Sequence, residues 1–228
     1  LASALSGAVL DPVDDFGDNP GALALYEHVP DAAGPLPLVL VLHGCGQTAQ
    51  MAVDAGFVDE ADRDGFLLAV AEQSTSNNAQ ACFDWFVDGD IARDRGEAAS
   101  LAHMVAYMEQ AHDVDPARVF VAGLSAGGAM AAVMLADYPD VFAAGAVFSG
   151  IPYRCGVGLS NALTCMQQGR DLSQADWAAL VTAADAGFSG RKPRVSIWQG
   201  DADHTVNPTN ADALVLQWTG VNGIAATP

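Results

Sequence analysis

Positively charged residues are scarce in this sequence. It has 9 lysines and arginines against 28 aspartates and glutamates, which gives a formal net charge of −19 at pH 7. A field of this sign repels nucleic acids and anionic membranes, and it slows the capture of anionic substrates. We therefore expect no nucleic-acid or membrane partner and favour a neutral substrate. The acidity itself fits either a saline habitat or simple solubility outside the cell.

Long apolar runs are also missing. No run approaches the roughly 20 residues of a membrane-spanning helix, so no span is predicted. The composition, 51% hydrophobic and 16% charged, is that of a globular chain and not of a disordered one. A chain of 228 residues suits one domain with a sizeable core. We expect a single domain over residues 1–228 and a monomer.

Cysteine is limited to four residues, and none of them forms a C-x-x-C pair. Zinc-ribbon and thioredoxin chemistry are therefore disfavoured, and no metal or cofactor is expected. Cys155 and Cys165 flank a glycine-containing loop that is short enough for a disulfide to close. Disulfides would indicate an oxidising compartment. The alternative is four buried free thiols.

The first twenty residues lack a clear period and are predicted to be irregular. The start, LASALSGA, has no methionine and no basic segment, which is expected after removal of a signal peptide or after trimming of the chain. Four carboxylates follow without the spacing of a calcium-binding loop, so a solvated acidic arm is favoured over a cation site. They are Asp11, Asp14, Asp15 and Asp18.

One stretch, RVFVAGLSAGGAMAAVMLADY at residues 118–138, combines a β-branched run, a G-x-S-x-G turn and a small-residue helical run. Strand, tight turn and helix in that order predict that Ser125 is a nucleophile, exposed on a strained turn. The N-terminal end of the helix would favour negative charge beside it, and the N–H of Ala126 would be one oxyanion donor. The alternative is an ordinary serine in a glycine-rich turn.

A second oxyanion donor is predicted after an earlier strand. The apolar run LVLVL at residues 38–42 is typical of a strand covered on both faces, and it leads into HGCGQ at residues 43–47. The N–H of Cys45 in this glycine-rich loop is the predicted donor. His43 could act as a base, but at a strand end it is favoured as a brace that hydrogen-bonds the loop.

A carboxylate that could orient a catalytic histidine follows the strand at residues 194–199. The segment GDADHTV places Asp203 at the usual position of a triad acid, with Asp201 as the reserve. His204 neighbours the acid, but it cannot readily fold back onto Asp203 while also reaching Ser125.

Strands and helices alternate along the chain, which predicts a doubly wound, mostly parallel sheet. An insertion at about residues 151–193, too long for a plain crossover, is expected to form a cap over the C-terminal edge of the sheet and to shape a pocket. The predicted strands are 23–29, 38–42, 66–71, 118–122, 143–148 and 194–199. The predicted helices are 48–63, 97–112, 128–135, 173–186 and 207–221.

Aromatic residues near the predicted site are candidates for substrate contact. If Cys82 pairs with Cys45, Trp85 in the CFDWF cluster comes beside the oxyanion loop and lines the groove. Tyr153 and Trp177 in the insertion, together with Met166, are further candidates. For each of these side chains the alternative is plain packing.

Several of these segments together resemble one family. The segments that carry the resemblance are LVLVLHGCGQ, CFDWF, RGEAASLAHMV, VDPARVFVAGLSAGGAMAAVMLADYPDVFAAGAVFSGIPYRC and VSIWQGDADHTVNPTNADALVLQW. Together they look like the polyhydroxybutyrate depolymerase/feruloyl esterase family, which includes acetylxylan esterases of the first carbohydrate esterase family. The resemblance covers the chain from about Asn19. It implies a secreted serine esterase of the α/β-hydrolase fold.

The resemblance also implies residue roles. Ser125 would be the nucleophile, Asp203 the triad acid, and the amides of Cys45 and Ala126 the oxyanion hole. It implies two disulfides, Cys45–Cys82 and Cys155–Cys165. The substrate would be a polyhydroxyalkanoate polyester, or a feruloyl or acetyl ester of plant polysaccharide.

One element of the family pattern is missing. The triad histidine should follow a last strand, after the helix at residues 207–221, and neither that strand nor that histidine is in the sequence. The simplest expectation is a chain incomplete at its C-terminus, lacking the last strand and helix. The alternatives are recruitment of His204 and a non-catalytic α/β-hydrolase-like module that binds a polymer. A serine peptidase with the same chemistry is a further option.

Overall fold

The structure is a computed structural model that describes residues 9–226. Strands and helices alternate after the first two strands. The strands are β1 (Asp11–Val13), β2 (Ala24–His28), β3 (Leu36–Leu42), β4 (Leu67–Glu72), β5 (Val114–Leu124), β6 (Ala144–Phe148) and β7 (Arg194–Trp198). The helices are α1 (Gln50–Asp54), α2 (Phe57–Asp64), α3 (Gly96–Ala111), α4 (Ala126–Asp137), α5 (Leu159–Gln168), α6 (Gln174–Ala184) and α7 (Thr209–Val221).

The strands of the described residues form one sheet in the order β1-β2-β4-β3-β5-β6-β7. β1 and β2 are antiparallel to their neighbours. The other five strands, in the sheet order β4-β3-β5-β6-β7, run parallel to one another. The C-terminal ends of β3, β5 and β6 therefore lie next to one another at one edge, together with the turns that follow them. The prediction of a mostly parallel sheet is confirmed.

The two faces of the sheet bury different side chains because successive residues of a strand point to opposite sides. In β3, Leu38, Leu40 and Leu42 join the main core, which also includes α3, α4 and α7. Val39 and Val41 face a smaller core formed with α1 and α2. Both sides of this central strand are therefore apolar, as its uninterrupted hydrophobic run predicted.

The face of β5, β6 and β7 on the α1/α2 side is poorly covered within residues 9–226. Trp198 is 60% exposed and stacks on Phe148, with the ring centroids 6.1 Å apart. Leu124 and Phe148 are half-buried and line an apolar cavity of about 360 Å³ together with Met51 and Phe57 of the α1/α2 side. Parallel sheets normally have both faces covered, so this side of the fold is unusual.

Two expectations about local structure were wrong. The predicted helix at residues 48–63 is two helices, because Gly56 takes a left-handed conformation with φ of 82° and breaks the run. The first twenty residues are not wholly irregular, since β1 pairs with β2. The four carboxylates of this segment are all exposed. The segment LASALSGA lies outside the described residues.

The insertion between β6 and β7 holds the predicted helix, α6, and a second helix, α5, that was not predicted. α6 packs on α4 and α7, and its Trp177 is fully buried. The insertion thus extends the main core, where Trp177 packs, and substrate contact by Trp177 stays a prediction. Whether the insertion shapes a substrate pocket stays a prediction. Within residues 9–226, no helix is both long and apolar enough to cross a bilayer.

Candidate active site

Ser125 lies in the sharp turn between β5 and α4. Its backbone has φ of 55° and ψ of −116°, a strained conformation for a residue with a side chain. The turn is held by its own hydrogen bonds, because the Ser125 N–H donates to the Phe148 carbonyl at 2.9 Å. The Ser125 carbonyl accepts from the Ala129 N–H at 2.9 Å. The surrounding structure therefore maintains the strain at the serine.

Glycines on both sides make this turn sterically feasible. A Cβ at Gly123 would collide with the carbonyl oxygen of Gly127, and a Cβ at Gly127 would collide with that of Leu42. The turn also lies against the loop after β3, since a Cβ at Gly44 would be 3.4 Å from the Cβ of Ser125. The G-x-S-x-G spacing thus reflects close backbone contact between β5, α4 and the loop after β3.

That loop, residues 43–47, offers one free backbone donor. The Gly44 N–H donates to the Gln47 side-chain oxygen at 2.8 Å, and the Gln47 N–H donates to the Gly44 carbonyl at 3.2 Å. The Gly46 N–H donates to a backbone carbonyl at 2.7 Å. Within residues 9–226, only the Cys45 N–H of these four has no protein acceptor. It lies beside the serine turn, as an oxyanion donor must.

The N–H of Ala126 is the other predicted donor. Ala126 is the first residue of α4, and N–H groups in the first turn of a helix have no partner inside the helix. The positive end of the helix dipole is at the same place. Ala126 directly follows Ser125, and Gly44, next to Cys45, packs against Ser125, so the N–H groups of Ala126 and Cys45 can stabilise an oxygen that gains negative charge there.

His43 braces the loop, as predicted. It is fully buried, and its Nε2 accepts from the Gln73 N–H at 3.0 Å. That nitrogen is therefore unprotonated, so Nδ1 carries the proton and donates to the Gly44 carbonyl at 2.7 Å. Burial lowers the pKa of His43 despite the hydrogen bond to Gly44 and the nearby Glu72. Both ring nitrogens are occupied, so this histidine is not free to act as the base.

The carboxylate of Asp203 is held by the loop after β7. Its Oδ1 accepts from the N–H groups of Thr205 at 2.8 Å and Val206 at 3.0 Å, and its Oδ2 accepts from the Gln199 side chain at 3.0 Å. The nearby Ser149 side chain also favours the charged form of the carboxyl group. Burial acts to raise the pKa of Asp203, but these hydrogen bonds outweigh it and lower the pKa below its usual value. The group is an oriented carboxylate at neutral pH.

Asp203 and Ser125 are linked through the end of β6. Ser149, whose side chain lies near Asp203, directly follows Phe148, whose carbonyl accepts the Ser125 N–H. Asp201, the reserve candidate, is exposed and accepts no hydrogen bond within residues 9–226. Ser149 was not predicted from the sequence, although its place directly after a parallel strand beside the serine turn was a usable signal.

A general base for Ser125 is absent among the described residues. All five histidines lie in residues 9–226, and none of them hydrogen-bonds the Ser125 hydroxyl. Their contacts are elsewhere: His28 with Asp62, His43 with Gly44 and Gln73, His103 with the Asp18 carbonyl, and His112 with Glu27, while His204 is exposed. His204 is thus not recruited to the serine in this structure.

Two aromatic candidates behave differently from expectation. Tyr153 is 2% exposed and its hydroxyl donates to the buried Asp137 at 3.0 Å, so it packs in the core, and its contact with a substrate groove stays a prediction. Trp85 is largely buried in the main core and packs edge-on against Phe86. Its substrate contact stays a prediction. Met166 is partly buried against the main core, and its substrate contact likewise stays a prediction.

The structure has two disulfides, Cys45–Cys82 and Cys155–Cys165, and none of the four cysteines is free. The first ties the loop that carries the Cys45 N–H to the loop after β4. The second closes the start of the insertion onto α5. No cluster of three or more metal-ligating side chains occurs in the described part of the chain.

A parallel sheet with a serine on a strained strand-to-helix turn, and an oriented carboxylate after a later strand, defines the α/β-hydrolase fold. A solved structure of the same kind, the acetyl xylan esterase from Aspergillus awamori, superposes with a TM-score of 0.90 at 30% identity, covering 96% of this chain and 82% of that one. Residues 22–228 match the family model described as esterase PHB depolymerase. The chain therefore belongs to that family.

Proteins of similar sequence are named as different ester hydrolases. Poly(3-hydroxyalkanoate) depolymerase C from Paucimonas lemoignei is 43% identical over 99% of this chain, which spans 55% of that protein. Feruloyl esterase B from Talaromyces funiculosus is 32% identical over 100% of this chain, which spans 66% of that protein. The chain thus spans a little over half to two thirds of the length of these relatives.

Proposed function

We propose that the protein is a secreted serine carboxylic-ester hydrolase. Its substrate would be a polyhydroxyalkanoate polyester, or a feruloyl or acetyl ester of plant polysaccharide. The observation that carries this proposal is the strained Ser125 turn packed against a loop whose Cys45 N–H has no protein acceptor. The names of the relatives support the ester class.

In the first half of the reaction the Ser125 oxygen attacks the ester carbonyl carbon while a base takes the hydroxyl proton. The carbonyl oxygen becomes an oxyanion and accepts hydrogen bonds from the N–H groups of Cys45 and Ala126. When the tetrahedral intermediate collapses, the C–O bond to the alcohol breaks. The alcohol leaves with the proton returned by the base, and the acyl group stays on Ser125.

In the second half a water attacks the acyl carbon while the base takes a proton from that water. A second tetrahedral intermediate forms at the same pair of N–H groups and releases the carboxylic acid. The Ser125 oxygen takes back the proton. Asp203, ionised and fixed by its hydrogen bonds, orients the base and stabilises its protonated form.

The base itself is proposed to be a histidine from outside residues 1–228. None of the five histidines of the sequence contacts Ser125, and loss of a triad base costs about four to six orders of magnitude in rate. The uncovered apolar face of β5, β6 and β7 supports a further strand and helix beside β7. So does the greater length of the relatives.

Secretion and a monomeric state are parts of the same proposal. Two disulfides in a chain without free cysteine suit an oxidising compartment. A net charge of −19 opposes self-association by mutual repulsion. Secretion is tested by finding the protein in the medium or in the cells of the native culture. The monomeric state is tested by light scattering of the purified protein.

Active-site labelling tests the nucleophile. The protein from the complete natural coding sequence should bind one equivalent of a fluorophosphonate, and Ser125→Ala should abolish the label. Ser160→Ala, at an exposed serine of α5, is the matched control and should label as the wild type does. Absence of label from the wild type would refute the proposal.

The specific rival is a polymer-binding module without catalysis, which the lack of a contacting histidine favours. Two observations distinguish the hydrolase from the binding module. Translation of the coding sequence beyond codon 228 shows whether a strand and a histidine follow. Turnover of p-nitrophenyl acyl esters supports the hydrolase, whereas binding of a polyester film or xylan without turnover supports the module.

Substrate class and bond type need separate assays. Hydroxybutyrate film, feruloylated arabinoxylan and acetylated xylan compared at equal enzyme concentration distinguish the three ester classes. Peptide anilides test the serine peptidase option, and faster cleavage of anilides than of matched esters would replace the esterase assignment.

A further inference from the structure

Gln73, the first residue after β4, contacts the loop at residues 43–47 through His43. Its backbone N–H donates to Nε2 of His43 at 3.0 Å. This hydrogen bond fixes the His43 tautomer, so that Nδ1 donates to the Gly44 carbonyl at 2.7 Å. Gln73 thereby sets the direction of the peptide unit that joins Gly44 to Cys45, which contains both that carbonyl and the Cys45 N–H.

The side chain of Gln73 holds the same loop by a second route. Its Nε2 donates to the Cys82 carbonyl at 3.2 Å, and Cys82 is joined to Cys45 by the disulfide. Its Oε1 accepts from the Ser74 N–H and from the Asn77 side chain, each at 2.8 Å. The side chain is therefore fully hydrogen-bonded, and Gln73 is 4% exposed.

Glu97, in the first turn of α3, anchors this amide. It is 2% exposed, and one carboxyl oxygen accepts from Gln73 Nε2. The other oxygen accepts from the Asp84 N–H at 2.8 Å. A long, rigid helix thus holds Gln73 through Glu97, and Gln73 holds the loop through His43 and through Cys82.

We propose that Gln73, anchored by Glu97, is a positioning residue for the oxyanion donor at Cys45. The inference rests on the proposed function, and both side chains are buried and act through the loop. An oxyanion donor acts only when it lies about 2.7–3.1 Å from the developing charge, so a loop displaced by about 0.5 Å loses much of the stabilisation. The loop carries two glycines and needs external support to stay that precise.

The decisive variant is Gln73→Met in the complete natural protein. Methionine keeps the length and the backbone N–H to His43 but removes all four side-chain hydrogen bonds, which join Gln73 to Cys82, Glu97, Ser74 and Asn77. We expect kcat for p-nitrophenyl acetate to fall about 10- to 100-fold, with KM within about twofold, because a donor used in the transition state is misplaced. Ser100→Ala is the matched control.

Ser100 is fully buried on the same helix, and its hydroxyl accepts from the Gly21 N–H and donates to the Gly96 carbonyl, without a hydrogen bond to the oxyanion loop. Its alanine variant should keep the wild-type kcat. An unchanged kcat in Gln73→Met would overturn the inference. So would an equal fall in both variants, because that result would reflect general destabilisation.

A double-mutant cycle tests the anchor. If Glu97 acts through Gln73, the Glu97→Met and Gln73→Met losses in kcat should not add, and the double variant should resemble Gln73→Met alone. Fully additive losses in kcat would show that Glu97 does not act through Gln73.

A readout independent of activity distinguishes this inference from the proposed function. Amide hydrogen exchange of residues 43–47 should be at least about tenfold faster in Gln73→Met than in Ser100→Ala. If the wild-type protein showed neither fluorophosphonate labelling nor ester turnover, the proposed esterase function would be refuted. If amide hydrogen exchange of residues 43–47 were unchanged in Gln73→Met, the proposal that Gln73 supports the loop would be refuted, whatever the activity.

Discussion

Glu97 should make folding stability depend on pH. The carboxyl group is buried in the first turn of α3, and burial is the main cause that raises its pKa from 4.5 to about 8. Asp84 and Asp90 add to this rise, whereas the hydrogen bonds from the Asp84 N–H and from Gln73 oppose it. The folded protein therefore holds a proton that the unfolded chain releases at lower pH.

The sign and size of the effect follow from that difference. Because the folded-state pKa is the higher one, the stabilisation is complete below about pH 4.5 and is lost as pH rises to about 8. Each pH unit within this window costs about 1.4 kcal/mol, so from pH 5 to pH 8 the Glu97 contribution falls by about 3.5 kcal/mol. Above pH 8 this contribution should level off.

The assay is urea unfolding followed by circular dichroism at intervals from pH 5 to pH 9, with disulfides intact. Glu97→Gln removes the titrating group, so the difference in unfolding free energy between wild type and variant should change by about 3.5 kcal/mol across pH 5–8. Glu109→Gln, at an exposed position of the same helix, should leave a constant difference. Parallel curves for wild type and Glu97→Gln would refute the reasoning.

Three further changes test other parts of the structure by urea unfolding and ester turnover. Gly127→Ala should cost about 3 kcal/mol or more, because its Cβ would meet backbone oxygens that cannot move aside. Tyr153→Phe should cost about 1–2 kcal/mol by removing the hydrogen bond to Asp137, and should leave kcat/KM unchanged. Replacing Cys155 and Cys165 by serine should cost about 3 kcal/mol, because the lost disulfide closes a short loop, and should leave fluorophosphonate labelling intact.

Each of these has a control or a contrary result. Gly200→Ala, where an added Cβ meets nothing within 4 Å, should cost less than about 1 kcal/mol. A similar cost at both glycines would contradict the close packing of the serine turn. A large rise of KM in Tyr153→Phe would return Tyr153 to the substrate groove. Loss of labelling without the Cys155–Cys165 disulfide would show that the insertion supports the site.

Secondary structure was predictable wherever a local pattern was strong. The apolar run of β3 and the small-residue run of α4 were evident because their side chains are buried on nearly all sides. Gly56 was misjudged, since a glycine within a helical pattern can either continue the helix or take a left-handed conformation. Packing of α1 and α2 against the sheet decides between the two, and the local sequence does not show that packing.

The candidate site was predictable only in part for the same reason. Ser125 and Asp203 follow strands in recognisable spacings, so their positions could be inferred. The packing of Tyr153 could not be predicted, because an aromatic residue in an insertion has the same local pattern whether it faces a groove or a buried aspartate. Gln73 and Glu97 gave no signal at all, since they are 24 residues apart and meet only in the folded chain.

By itself, the sequence determined the main alternation of strands and helices, the strained serine turn and the absence of a histidine in the expected place. These are local properties of spacing, of glycine and of residue type. Only the tertiary structure decided which N–H groups stay free beside Ser125, which histidines are already occupied and which face of the sheet lacks a cover. Those depend on hydrogen bonds and packing between segments far apart in the chain, which no local pattern encodes.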